Sequence, residues 1–294
     1  MNTSLRYKLA SISRLVFAML LVLFITACSS NNNESKGDIV VHSDGPAKWI
    51  DRPDFQALID SAEVVGSVLI LDPQTSTFYS NDFKWAKVGR LPASTFKIPN
   101  SIIALETGVV ESDSTVFKWN GEDRAQDIWE RDLTFADALR FSCVPCYQEV
   151  ARKVGLERMR EYLDLLNYET MVFDSSSIDL FWLVGESKIS AFDQISFLSR
   201  LHQNDLPVAK RTTDIVKKMM VLQEDKDFIL RGKTGWALGE EVNNGWFVGY
   251  VEKGEKVYYF ATNVSPTEKL KNAAFPRTRT KVTIEALKAM NILS

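Results

Sequence analysis

The chain predicts an α/β protein of the α+β kind: an antiparallel sheet flanked by helices, with an all-α subdomain inserted between its strands. Three observations carry this. Strand-like runs occur early, at Val64 to Leu71 and Thr77 to Ser80, and again late, at Phe228 to Leu230, Gly245 to Val251 and Val257 to Asn263. Between the two groups the apolar period becomes helical. A sheet gathered from both ends of a chain around segregated helices buries both kinds of face.

The elements follow in order. Arg6, Lys8 and Arg14 precede the apolar run Leu15 to Ile25, too short to span a bilayer comfortably and suited to a signal peptide over residues 1–27. Ile25-Thr26-Ala27-Cys28 resembles a bacterial lipoprotein cleavage box. That implies a lipid on Cys28 and an exported, periplasmic protein tethered to the membrane; the alternative is an ordinary signal peptide ending near Ala27. Residues 28–47 read as a flexible tether, polar and aperiodic from Ser29 to Gly37. The folded domain, 48–294, opens near Trp49. Val64 to Leu71 is a β-branched strand closed by Asp72-Pro73, and Thr77 to Ser80 is its hairpin partner. Ile98 to Leu105 reads as a buried helix. Thr134, three residues before Asp137, caps a short helix through Phe141. Met159, Leu163 and Leu166 give Leu156 to Asn167 helical spacing, and Ser190 with Asp193 caps a helix to about Gln203. Ile215 to Leu222 is a further helix, so the helical subdomain spans roughly 92–225. After the late strands, Lys281 to Met290 is a closing helix.

Composition narrows the function classes. Of 294 residues, 45% are hydrophobic and 25% charged, ordinary globular values. The net charge of −3 offers no basic field for nucleic acid. Two histidines, His42 and His202, are too few for a histidine-rich zinc site and argue against a Ser-His-Asp triad. No metal or organic cofactor is expected, and a hydrolase on this chain must activate its nucleophile without histidine.

Ser94 and Lys97 form the only Ser-x-x-Lys in the chain, at the start of the Ile98 helix. Residues three apart share a helix face, so Lys97 can reach the Ser94 hydroxyl. A lysine whose charge is suppressed can take a serine's proton. The unpaired N–H groups of a first turn favour developing negative charge. The competing reading is a capping serine beside a solvated lysine. Two other elements can complete a site. Lys233-Thr234-Gly235-Trp236 places an ammonium and a bare glycine where an anionic, peptide-like ligand can lie along a strand edge; a turn with an exposed lysine is its alternative. Ser142, after the Thr134 helix, offers a hydroxyl at an element boundary or simply ends a helix.

In this order, Ser94-x-x-Lys97, Ser142-x-Val144 and Lys233-Thr234-Gly235 resemble the penicillin-recognising serine enzymes, and most nearly the class D (oxacillinase-type) serine β-lactamases. Val144 stands where the related class A pattern has asparagine. The resemblance continues through Leu105 to Val109, Val116 to Gly121, Trp129 to Arg131, Phe181-Trp182-Leu183, Gly245 to Gly249 and Tyr258 to Phe260. It implies the serine β-lactamase/transpeptidase-like fold and hydrolysis of β-lactam antibiotics through an acyl-enzyme, with resistance as the outcome.

The resemblance also implies roles for single residues. Lys97 becomes N-carboxylated by carbon dioxide or bicarbonate; only a neutral amine attacks carbon dioxide, and burial lowers a lysine's pKa. Val144, Trp182 and Leu183 line that pocket, the Trp182 indole N–H serving as a donor to the carbamate. The backbone N–H groups of Ser94 and Trp236 form the oxyanion hole. Ser142 and Lys233 pass a proton to the leaving nitrogen. Thr234, Gly235 and Arg279 bind substrate, with Arg277 the competitor for the last place.

Two features depart from the family. Tyr168-Glu169-Thr170 replaces its usual Tyr-Gly-Asn, which bears on the shape of that wall and on substrate range. Cys143 and Cys146 replace apolar residues. In an exported protein, cysteines three apart can form a disulfide or remain two buried thiols. A thioredoxin-like redox site is the sharper alternative, but the strand it expects is missing. A penicillin-binding peptidase or transpeptidase, or a sensor that stays acylated, are the other readings of the whole chain.

Overall fold

The structure, a computed structural model, describes residues 46–168, 170–238, 243–270 and 274–294. The expected leader, Cys28, the tether up to residue 45, and Glu169 lie outside these residues. β1 (Lys48–Asp51) leads into α1 (Pro53–Ser61), then the hairpin β2 (Val64–Asp72) and β3 (Thr77–Ser80). The short α2 (Phe83–Lys87) and a 3₁₀ turn (Ala93–Phe96) precede α3 (Lys97–Glu106). The small strands β4 (Val116–Phe117) and β5 (Leu133–Thr134) pair with each other. Next come α4 (Phe135–Arg140), α5 (Val144–Val154), α6 (Leu156–Leu165), α7 (Ala191–Gln203) and α8 (Lys210–Met219). The chain closes with β6 (Val221–Glu224), β7 (Ile229–Leu238), β8 (Asn243–Lys253), β9 (Lys256–Pro266) and α9 (Phe275–Ala289).

The main sheet runs β1-β3-β2-β9-β8-β7-β6. Its two halves, from opposite ends of the chain, meet at the antiparallel pair β2–β9, in register from Val64↔Pro266 to Leu71↔Tyr259. Both faces are covered along most of β2, which is why Val68 to Leu71 reads as a continuous apolar run. Val68 and Ile70 join the core beneath α1 and α9, while Leu69 and Leu71 join the larger core on the helical side. Thr134 and Ser190 cap α4 and α7 as their spacing predicts, the second with a full capping box to Asp193.

Four details differ from the sequence expectation. β1 pairs with β3 in parallel; all four of its residues are exposed, so no alternation announces it. The middle of the chain is not purely helical, because β4 and β5 form a two-stranded sheet there. The helix expected over 215–222 is α8, which begins at Lys210 and ends at Met219. Its first turn is polar and carries a Lys210–Asp214 ion pair instead of an apolar signal; Val221 and Leu222 belong to β6. α9 begins at Phe275, ahead of the expected Lys281, so Arg277 and Arg279 both lie on it.

Candidate active site

Ser94 sits on the 3₁₀ turn, and that turn is held under tension. Ala93, just before it, has φ 50°, a left-handed value that a residue with a Cβ adopts only when its surroundings impose it. Thr95 imposes part of it by donating from Oγ1 to Pro92 O at 2.6 Å, and the buried Gln194 of α7 donates to that same Oγ1 at 2.9 Å. The turn runs straight into α3, so Lys97 arrives on the nucleophile's side. Its Nζ donates to Ser94 Oγ at 2.9 Å. Lys97 is fully buried, and desolvation brings its pKa down from 10.5 to about 7. Near neutrality a large share of the amine is therefore uncharged.

The walls around Lys97 are aromatic and aliphatic. The Tyr147 ring of α5 lies 5.3 Å from Nζ, and its hydroxyl pairs with Ser101 Oγ at 2.7 Å. Phe96, next to Lys97 in the chain, stacks on Trp182 with centroids 5.4 Å apart. Val144 and Leu183 are half-buried and pack against the same core. Trp182 has no exposed surface, yet its indole Nε1 has no hydrogen-bond partner among the described residues. An orphaned buried donor of this kind is costly unless an acceptor comes to it.

The opposite side of the cleft is built on β7. β6 pairs only with Ile229, Leu230 and Arg231, so that edge of β7 has no neighbouring strand from Lys233 onward. The Ser94 turn comes up against it. A Cβ on Gly235 would stand 3.0 Å from Pro92 O and 3.2 Å from Thr95 N, so any side chain here would push the turn back by a few tenths of an ångström. Lys233 Nζ donates to Ser142 Oγ at 2.5 Å and to Thr234 O at 2.9 Å. Desolvation, then the charges of Lys97 and Arg279, lower its pKa well below the ordinary lysine value. Ser142 itself has φ 56°, again left-handed without glycine. Thr234 is half-buried, and Trp236 donates from its indole to Asn243 Oδ1 at 2.9 Å.

Arg279 of α9 is 7% exposed, whereas Arg277 is exposed. Gly245 makes room for it: a Cβ there would meet Phe275 at 2.8 Å and Arg279 Cδ at 3.1 Å. Among the described residues the Nε and Nη1 of Arg279 have no partner, and burial lowers its pKa to about 10. Cys143 and Cys146 are joined in a disulfide with Cα atoms 5.4 Å apart, linking the N-cap of α5 to its first turn. Two residues of the site went unread in the sequence: Tyr147 and Gln194. Recognising α5 would have exposed the first, three residues after Val144 on the same helix. Nothing local marks the second, which acts across 99 positions.

Two serine–lysine pairs, the Ser94 turn pressed on a strand edge and a buried arginine with nitrogens unpartnered among the described residues make an arrangement chemically capable of serine acyl transfer. A family model described as a penicillin binding protein transpeptidase domain matches residues 66–281. The chain is 45% identical over 208 residues to beta-lactamase OXA-10 of Pseudomonas aeruginosa, covering 69% of this chain and 78% of that protein. It is 40% identical over 217 residues to beta-lactamase OXA-48 of Klebsiella pneumoniae, covering 74% and 82%. Among solved structures, the class D β-lactamase YbXI from Nostoc aligns with a TM-score of 0.78 at 39% identity, over 81% of this chain and 99% of its own. The class D β-lactamase from Sebaldella termitidis aligns at 0.80 and 32% identity, over 85% and 100%. The chain belongs to the class D β-lactamase family, on the penicillin-binding transpeptidase fold.

Proposed function

We propose that the enzyme opens β-lactam antibiotics by attack of Ser94 on the ring carbonyl and uses an N-carboxylated Lys97 as general base in both halves of the cycle. One observation supports this above the others: a fully buried amine with a pKa of about 7 follows Phe96, whose ring stacks on Trp182, and the indole N–H of that tryptophan has no acceptor among the described residues. The neutral amine can take up carbon dioxide, and the Trp182 N–H is a ready donor for the resulting anion. Carboxylated, Lys97 supplies an anionic oxygen that accepts the Ser94 proton and releases it to replace the one that Lys233 and Ser142 give the ring nitrogen. It then accepts a proton from the attacking water and returns it to Ser94 Oγ as the ester bond breaks.

In this reading, Ser94 Oγ bonds to the carbonyl carbon while the backbone N–H groups of Ser94 and Trp236 receive the oxyanion. The ring C–N bond breaks, and Ser142 passes the nitrogen a proton drawn from Lys233. Charge makes the two lysines cooperate. Lys97 as a cation depresses the Lys233 pKa; an anion at Lys97 reverses that sign and favours the ammonium that donates. Thr234 and Arg279 hold the substrate carboxylate, and Gly235 lets the substrate backbone lie along β7. Water attack then frees Ser94, completing hydrolysis and conferring resistance. The leader and Cys28 support export and a lipid tether in the periplasm.

The test is turnover of a chromogenic cephalosporin with and without bicarbonate. Turnover that falls on bicarbonate removal and returns on its addition is the expected result. A single stoichiometric burst would identify a trapped sensor. Full turnover indifferent to bicarbonate would remove the carboxylated lysine from the mechanism.

A further inference from the structure

The Cys143–Cys146 disulfide has no part in the chemistry above, yet it closes the turn from which three residues of the site project. Ser142 precedes it, Val144 lies inside it and Tyr147 follows it. Ser142 keeps its left-handed backbone and its 2.5 Å bond from Lys233 at the very edge of this turn. Tyr147 lies over Lys97 and is tied to Ser101, one turn along α3 from that lysine. The cysteines also organise the start of α5: Cys143 Sγ accepts from the Cys146 N–H at 3.2 Å, and its carbonyl accepts from the Tyr147 N–H at 3.3 Å. Both are core residues, 0% and 3% exposed. First turns of helices are otherwise the ends that fray.

We propose that the Cys143–Cys146 disulfide is a positioning pair. It holds the first turn of α5 so that Val144 and Tyr147 keep the Lys97 amine dry while Ser142 keeps its bond to Lys233. The proposal rests on the carboxylated-lysine reading. A link between residues three apart closes a very short loop, which restrains the unfolded chain little compared with a long one. Its effect therefore falls on local geometry. With the link gone, the turn loosens, water reaches Lys97, the ammonium is restored and carbon dioxide is held more weakly.

The experiment compares the unaltered chain with Cys143→Ala/Cys146→Val and with the single variant Cys146→Ser, each titrated with bicarbonate during chromogenic cephalosporin turnover. The half-saturating bicarbonate is expected to rise about tenfold or more in both variants, with kcat largely restored at saturation. A dithiol acting on the unaltered chain should move the midpoint the same way. It gives two electrons and two protons to the sulfurs, the S–S bond parts into two thiols, and the dithiol closes to its own disulfide; a thiol titration records the conversion. A purely structural link would lower the melting temperature and leave the midpoint in place, which overturns the proposal. Should the double variant fail to fold, the single variant and the dithiol arm decide. Global unfolding by the dithiol would refute a local role. Lack of bicarbonate dependence in the unaltered chain would sink the carboxylated-lysine reading and this proposal together; a dependence shared equally by all forms sinks the proposal alone.

Discussion

Two buried lysines, each hydrogen-bonded to a serine, face one cleft from walls of different material. Lys97 stands on a helix among Tyr147, Phe96 and Trp182, and desolvation alone sets its pKa at about 7. Lys233 stands on a strand, where desolvation is joined by the fields of Lys97 and Arg279. It has two acceptors for its protons, Ser142 Oγ and Thr234 O, whereas among the described residues Lys97 donates to Ser94 Oγ alone. The same side chain is thus prepared for opposite tasks. Apolar walls favour a free amine that can react; in the function proposed above, the acceptors and an anion at Lys97 would favour a donating ammonium at Lys233 against the desolvation that lowers its pKa.

Removing the hydroxyl that Lys97 holds should have the largest effect. Ser94→Ala is expected to lower turnover by about 10⁴-fold or more and to leave no acyl adduct by mass spectrometry. An adduct on another residue would show the comparison to be centred on the wrong serine.

Lys97→Met addresses the helical wall alone. It should remove turnover while raising the melting temperature at pH 7, because a buried amine that prefers to be neutral is replaced by an apolar chain. The sign follows from linkage. The folded pKa is about 7 and the unfolded value 10.5, so between them the unfolded chain holds more protons. In the unmodified protein without carbon dioxide, this group's contribution to stability therefore rises with pH across that window and is at its lowest below pH 7. For the same reason, the midpoint for carboxylation, expressed as dissolved carbon dioxide, should climb about tenfold or more for each pH unit below 7. A flat profile from pH 6 to 8 would mean that Lys97 is not the titrating amine.

Trp182→Phe keeps the ring and deletes the donor. The bicarbonate requirement should rise roughly 10- to 100-fold, the range of a hydrogen bond to a charged group. The carbamate carbon signal from ¹³C-labelled bicarbonate should weaken in parallel, and an unchanged signal would count against the pairing. On the strand side the smallest effect is expected from Arg279→Ala: about a tenfold rise in KM for carboxylate-bearing substrates, with little change in kcat. Loss of kcat alone would place this guanidinium at the reacting atoms and blur the division of labour.

The sequence made the sheet and the lysine spacing legible for physical reasons. β2, β8 and β9 are buried on both faces and leave long apolar runs. Ser94 and Lys97 are related by a helical turn, which spacing alone expresses. β1 left no trace because all its residues are exposed. α5 was hidden by Pro145 and two cysteines at its start, which interrupt the amphipathic pattern, and Tyr147 was hidden with it. Gln194 belongs to a network joining α7 to the nucleophile turn, and only tertiary contact reveals that. The orphaned state of the Trp182 N–H is likewise a property of the packed chamber, although the tryptophan itself stood out within Phe181-Trp182-Leu183.

Arg279 has a consequence beyond recognition. A buried guanidinium with two nitrogens unpartnered among the described residues makes the ligand-free fold less comfortable than the same fold with an anion in place. Anything that binds the native state alone shifts unfolding by mass action. The antibiotic then acts as a stabiliser of the protein that destroys it. Copies at work should outlast idle copies when heat or proteases are present, so how long each molecule survives becomes tied to how much drug surrounds it.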